Sequence, residues 1–195
     1  LNVVDELAVQ VASYTRKRIG DAIAERKLRE SAVSNQAIAL VSLGQQDRDR
    51  ADSLRIARVY DAADMAYRMA DSIFQEAEKK EPHWALPTIE RARTAYKRMW
   101  LEISVAQNGR ERARHWAETG VAHANRVLAK DKGHLDALEL RAILNYWRWH
   151  FAQPTRLGQT DELLAQAQRD AQQVTSRDPT RALAWRILAI TLHTQ

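Results

Sequence analysis

The amino-acid sequence predicts an all-α chain built from antiparallel helix pairs, and three observations carry that prediction. The helix formers Ala, Leu, Arg, Glu and Gln dominate, and 6 Gly and 4 Pro in 195 residues leave little of the chain for turns. Small or apolar residues recur at spacings of three and four, which draws a stripe along a helix. One pattern occurs three times, with intervals of four, three and five residues: Ala70, Phe74, Ala77, Pro82; then Gly120, Ala124, Val127, Lys132; then Ala167, Ala171, Val174, Pro179. The first three positions of each copy share one helix face, where small side chains let another helix approach closely. The fourth marks a turn after which the next helix packs back. Units of this kind stack into a solenoid with a core shared between neighbours.

In chain order, residues 2–29 place Val4, Leu7, Ala8, Val11, Ile19, Ala22 and Ile23 on one stripe, with the basic run Thr15 to Arg18 on its exposed side. Residues 32–43 form a short helix with Val33, Ala37, Leu40 and Val41 inward, ended by Gly44 as a left-handed cap. No Gly or Pro interrupts Asp47 to Lys80. That stretch is one helix of about 50 Å, or two with a break near Asp61–Asp64. Glu81-Pro82 ends it, because a residue before proline resists the helical region. Pro87 opens a helix with Ile89, Ala92, Tyr96, Met99, Trp100 and Ile103 on its stripe, running to about Gln107. Asn108-Gly109 is a turn, and residues 110–130 are the partner helix. Residues 135–151 form the next helix, followed by a loop over 152–159. Thr160 caps a helix reaching about Arg177. Asp178 caps a last helix with Pro179 at its first position and Trp185, Leu188, Ala189 and Leu192 on one face.

These residues resemble the tetratricopeptide repeat (TPR) family. Read from Leu135, Leu138 and Ala142 occupy that motif's fourth and eighth positions; read from Ala182, Trp185, Leu188 and Ala189 occupy the fourth, seventh and eighth. The second helices supply the three small-residue copies above. The turns Pro82, Lys132 and Pro179 lie 50 and 47 residues apart, longer than the family's 34, and Asn145 and Leu192 stand where the family has a first-helix tyrosine. The match covers residues 46–195 and is weak over 1–45. The long repeats also loosely resemble TPR arrays attached to bacterial serine/threonine kinase or regulator proteins. The resemblance implies a single TPR-like right-handed α-solenoid over residues 1–195. It implies a non-catalytic scaffold or sensor that binds protein or peptide on its concave face. Carried onto this sequence, that groove presents Arg93, Tyr96, Asp136, Glu139, Ile143, Tyr146, Arg186 and Ile190.

Charge does not point to nucleic acid. The net +5 is spread evenly: Lys and Arg exceed Asp and Glu by 1, 1, 2 and 1 in successive blocks of 50, 50, 50 and 45 residues, without the basic face or arm that phosphate binding needs. No cysteine is present, which excludes disulfides, thiol catalysis and thiolate metal sites. No apolar run is long enough to span a bilayer, so no membrane insertion is expected. The start at Leu1 without a signal-like stretch reads as a fragment of a larger protein, of unassigned compartment. The sequence offers no glycine-rich phosphate loop, no GxSxG and no HExxH, and no catalytic residue, cofactor or metal is expected. His115 and His123 with Glu118 stand about 80° apart on a helix, a poor metal set. The run Asn145 to Phe151 interleaves aromatics with arginine; it reads as interhelical packing, and the rival reading is a small-ligand or enzymatic site near Trp147–His150.

Overall fold

The computed structural model describes residues 11, 14–20, 33–105, 109–152 and 159–193, the side chains of 159–161 excepted. Among them the regular structure is helical, with no strand. The chain divides into two compact units, Leu1–Asn35 and Gln36–Gln195.

In the first unit residues 14–20 are helical and exposed. Thr15 donates to the Val11 carbonyl (2.7 Å), and the Arg18 guanidinium lies over the Tyr14 ring, 5.9 Å from its centroid. The basic run thus faces outward as expected. Val11 and Ile19, expected inward, are exposed as well; a lone amphipathic segment has nothing among this unit's described residues to pack on. Val4, Leu7, Ala8, Ala22 and Ile23 lie outside the described residues.

The second unit is carried by seven helices: α1 (Asn35–Ile56), α2 (Tyr60–Lys80), α3 (Ala85–Val105), α4 (Arg110–Lys130), α5 (Leu135–Ala152), α6 (Gln159–Arg177) and α7 (Ala182–His193). Helix α1 runs straight through Gly44. That glycine serves close approach and not a cap: a Cβ there would come within 2.6 Å of the Phe74 ring on α2. The break in Asp47–Lys80 exists but lies at Ala57–Val59, before the expected Asp61–Asp64. Arg58 adopts φ 62°, Arg58 N–H donates to Arg55 O and Val59 N–H donates to Leu54 O. This is the Schellman termination with arginine in the place usually held by glycine, which is why no breaker announced it.

Three later turns repeat one hydrogen-bond pattern. Glu81, Asp131 and Asp178 each donate N–H to the carbonyl four residues back, at Ala77, Val127 and Val174. Trp84, His134 and Arg181 then donate to Glu81, Asp131 and Asp178. An acidic residue opens each turn, which places Pro179 inside a turn and not in a helix. Asp178 caps that turn by accepting from Thr180 N–H (3.1 Å) and Thr180 Oγ1 (2.6 Å). Helix α6 opens at Gln159, so Thr160 falls within its first turn.

The three small-residue copies are packing positions. Ala70, Phe74, Ala77, Ala124, Ala167, Ala171 and Val174 are fully buried, and Val127 nearly so. Gly120 lets α4 sit so close to α5 that a Cβ would meet Leu144 Cδ1 at 2.7 Å. From α3 onward one core joins the helices, with Ile89, Met99, Leu138, Ile143, Leu144 and Ile187 at its centre. Consecutive helices pack together from α2 to α7, and α5 also touches α3 and α7.

Helix α7 departs from expectation. Its buried face is Ala184, Ile187, Leu188 and Thr191, whereas Trp185 and Leu192 are 48% and 54% exposed. With the 47-residue offset of the turns, Trp185, Ala189 and Leu192 correspond to Leu138, Ala142 and Asn145 of α5, all buried. The stripe is real, but no described helix follows α7 to cover it. Among the described residues no helix is long and apolar enough to cross a membrane.

Candidate functional site

The residues expected to line a groove fall on α3, α5 and α7. On α5, at about 100° per residue, Asp136, Glu139, Ile143 and Tyr146 share one side. Ile143 is fully buried, so it belongs to the core and offers no contact to a ligand. It lies midway along the one helix that packs against four others. Arg93, Tyr96, Asp136, Glu139, Tyr146 and Ile190 are partly buried and Arg186 is exposed.

The charged members of this face bind one another. Asp136 receives Arg181 at 2.6 Å and Arg93 at 3.4 Å, and Arg181 also reaches Glu139 at 3.2 Å. Arg93 in turn bonds Glu90 at 2.6 Å, and Glu90, fully buried, is also held by Arg48 and Gln45 of α1. A chain of ion pairs therefore links α1, α3, α5 and the turn before α7. Burial raises the Asp136 pKa, but the Arg181 hydrogen bond and the charges of Arg93 and Arg181 outweigh it and hold the carboxyl below its ordinary value. Glu139 is thus a structural partner of Arg181, so reversing its charge would disturb packing as well as any binding. Arg186 enters none of these ion pairs.

The aromatic run packs largely on itself. Trp147 meets Trp100 edge-on, with centroids 4.8 Å apart, and Tyr96 meets Trp100 at 6.4 Å. Tyr146 stacks on Trp149 at 5.9 Å and on His150 at 6.3 Å, and Trp147 contacts Phe151. Tyr96, Trp100, Tyr146, Trp147 and Phe151 lie against the central core, which agrees with the packing reading. Histidines 115 and 123 do not form a pair: His115 packs edge-on with Trp116 while His123 meets Arg126.

The opposite side of α5 holds groups that the sequence reading passed over. The segment from α2 through α3 maps onto α4 through α5 with a constant offset of 50 residues, so Arg91 corresponds to Arg141 and Arg98 to Arg148. Arg91 bonds Asp71 through two nitrogens (2.9 and 3.2 Å) and Glu78 at 3.0 Å. Arg141 grips Asp170 of α6 in the same bidentate way (2.7 and 2.8 Å) and Asn125 of α4 at 3.0 Å. Arg98 pairs with Asp64 at 2.7 Å and lies 3.6 Å over the Trp116 ring. Arg148 has neither partner. A cleft of about 290 Å³ opens beside it, lined by Asn125, Arg141, Asn145, Arg148, Glu162 and Gln166 with Val121 and Leu163.

Compared with known proteins, the chain matches no family model, no curated protein and no solved structure.

Proposed function

We propose that Gln36–Gln195 is a TPR-like right-handed α-solenoid that binds a protein or peptide segment along the row of first helices α3, α5 and α7, as a non-catalytic scaffold or sensor. One observation carries this reading: α5 packs against α3 and α7 as well as against its sequence neighbours. Stacked helix pairs would give such contacts, and the repeated turn geometry supports the same reading. Along this row Tyr96 and Tyr146 keep partial exposure and Arg186 enters no ion pair among the described residues, a mixture of aromatic surface and charge suited to a peptide. The concave curvature, the partner type and the bacterial kinase or regulator setting are part of the proposal.

The test is affinity capture with Arg186→Glu and, as control, Lys79→Glu, an exposed site on α2. The reading expects Arg186→Glu to lose the captured partner, Lys79→Glu to keep it, and both melts to match the parent. Equal capture by both variants would contradict it. The rival small-ligand reading draws on the cleft beside Arg148, which lies on the side of α5 away from Tyr146.

A further inference from the structure

We propose that the cleft between α4, α5 and α6 is a binding site for a small organic carboxylate, separate from the peptide face. The argument rests on what the two equivalent grooves do with equivalent arginines. In the groove of α2, α3 and α4, Arg98 is neutralised by Asp64 and covered by Trp116. In the groove of α4, α5 and α6, the 50-residue offset puts Arg114 where Asp64 stands, and the 47-residue offset from α4 to α6 puts Leu163 where Trp116 stands. The counter-charge is lost, Arg114 being itself paired with Glu111 at 2.9 Å, and the covering indole gives way to a smaller side chain. Among the described residues Arg148 is left with one partner, the Asn145 Oδ1 at 2.9 Å. Its Nε is buried without a partner, as is that of Arg98; the carboxylate and the ring are what differ. Leu163, at the position equivalent to Trp116, lines the open cleft.

The lining specifies the ligand further. Asn145 and Asn125 spend their amide oxygens on Arg148 and Arg141, because a guanidinium only donates. No acceptor among the described residues meets either amide nitrogen, so both remain for the cleft. Two amide donors and one uncompensated guanidinium call for an acceptor-rich anion. Arg141 adds no net charge, being tied to Asp170. Glu162, exposed at the cleft, disfavours a polyanion. Val121 and Leu163 supply an apolar wall for a carbon skeleton. At about 290 Å³ the volume lies at the lower edge of ligand pockets, which suits a molecule of amino-acid size.

The test is calorimetric titration of residues 1–195 with each of the free amino acids, with acetate and with inorganic phosphate. It is repeated on Arg148→Met, which removes the cation, and on Leu163→Trp, which restores the indole of the other groove. The expected result is saturable binding of at least one carboxylate probe, weakened about tenfold or more by either substitution while the melting temperature stays within a few degrees. No saturation by any probe at 20 mM (a concentration of roughly the weakest affinity worth calling a site), binding of phosphate alone, or binding indifferent to both substitutions would overturn the proposal.

Discussion

The groove of α2, α3 and α4 and the groove of α4, α5 and α6 share a backbone plan, yet one is closed by its own side chains and the other stays open. The turns after α2 and α4, the small-residue positions 70/120, 74/124 and 77/127, and the arginines at 91/141 and 98/148 repeat between them. What differs is where the counter-charges sit. In the first groove α2 supplies Asp71, Glu78 and Asp64. In the second, Asp170 arrives from α6, at the place His123 holds in α4, and nothing replaces Asp64. The repeat fixes helix packing through small residues, while the polar positions between helices are free to diverge because each needs only a local partner.

The largest effect should come from Asp170→Asn. Its side chain is 3% exposed and balances a guanidinium on α5, so the variant should lose about 3–5 kcal/mol in urea unfolding. A loss under 1 kcal/mol (roughly what a surface pair yields) would mean that Arg141 finds another partner.

The two arginines beneath the grooves should then part company. Arg98→Met abandons Asp64 and the Trp116 stack and should cost roughly 2–3 kcal/mol, Asp64 being partly solvated. Arg148→Met breaks no ion pair and should cost less than about 1 kcal/mol. Similar losses for both, measured by the same urea transitions, would erase the contrast.

A smaller, pH-dependent effect belongs to His123. Burial first, then the charges of Arg91 and Arg126, push its pKa down to about 4 from 6.5. The unfolded chain takes up this proton as pH falls below 6.5 while the folded chain does not, so folded stability is full above 6.5 and declines toward pH 4. The decline should be roughly 1–3 kcal/mol. In thermal melts, His123→Gln should flatten the wild-type slope between pH 6.5 and 5; identical slopes would show that His123 is solvated.

Much of the fold was legible in the sequence. The helix over residues 110–130 and the 4, 3, 5 spacing needed only periodicity and turn residues, because close approach demands small side chains that sequence displays directly. Gly44 misled because a glycine looks the same whether it caps a helix or admits a phenylalanine ring. Arg58 was invisible as a stop, since its left-handed conformation is imposed by the α1–α2 junction. The site was harder to read. Ile143 fell into the groove because face assignment on α5 ignores that its neighbours cover both flanks. Arg141, Arg148 and Asp170 were passed over because a charged residue on a helix looks solvated until its partner on another helix is known. Comparing residues 50 apart would have exposed the arginine pairs, though not the missing carboxylate.

The most direct measurement is a double-mutant cycle of Arg114→Asp with Arg148→Met, read by urea unfolding. Arg114 is itself paired with Glu111 at 2.9 Å, so Arg114→Asp alone gives up that pair and the diagnostic quantity is its coupling to position 148. If Arg148 is an uncompensated cation in a groove equivalent to that of Arg98, Arg114→Asp should be about 0.5–1 kcal/mol more favourable with Arg148 present than in the Arg148→Met background. A coupling of zero or of the opposite sign would contradict the account.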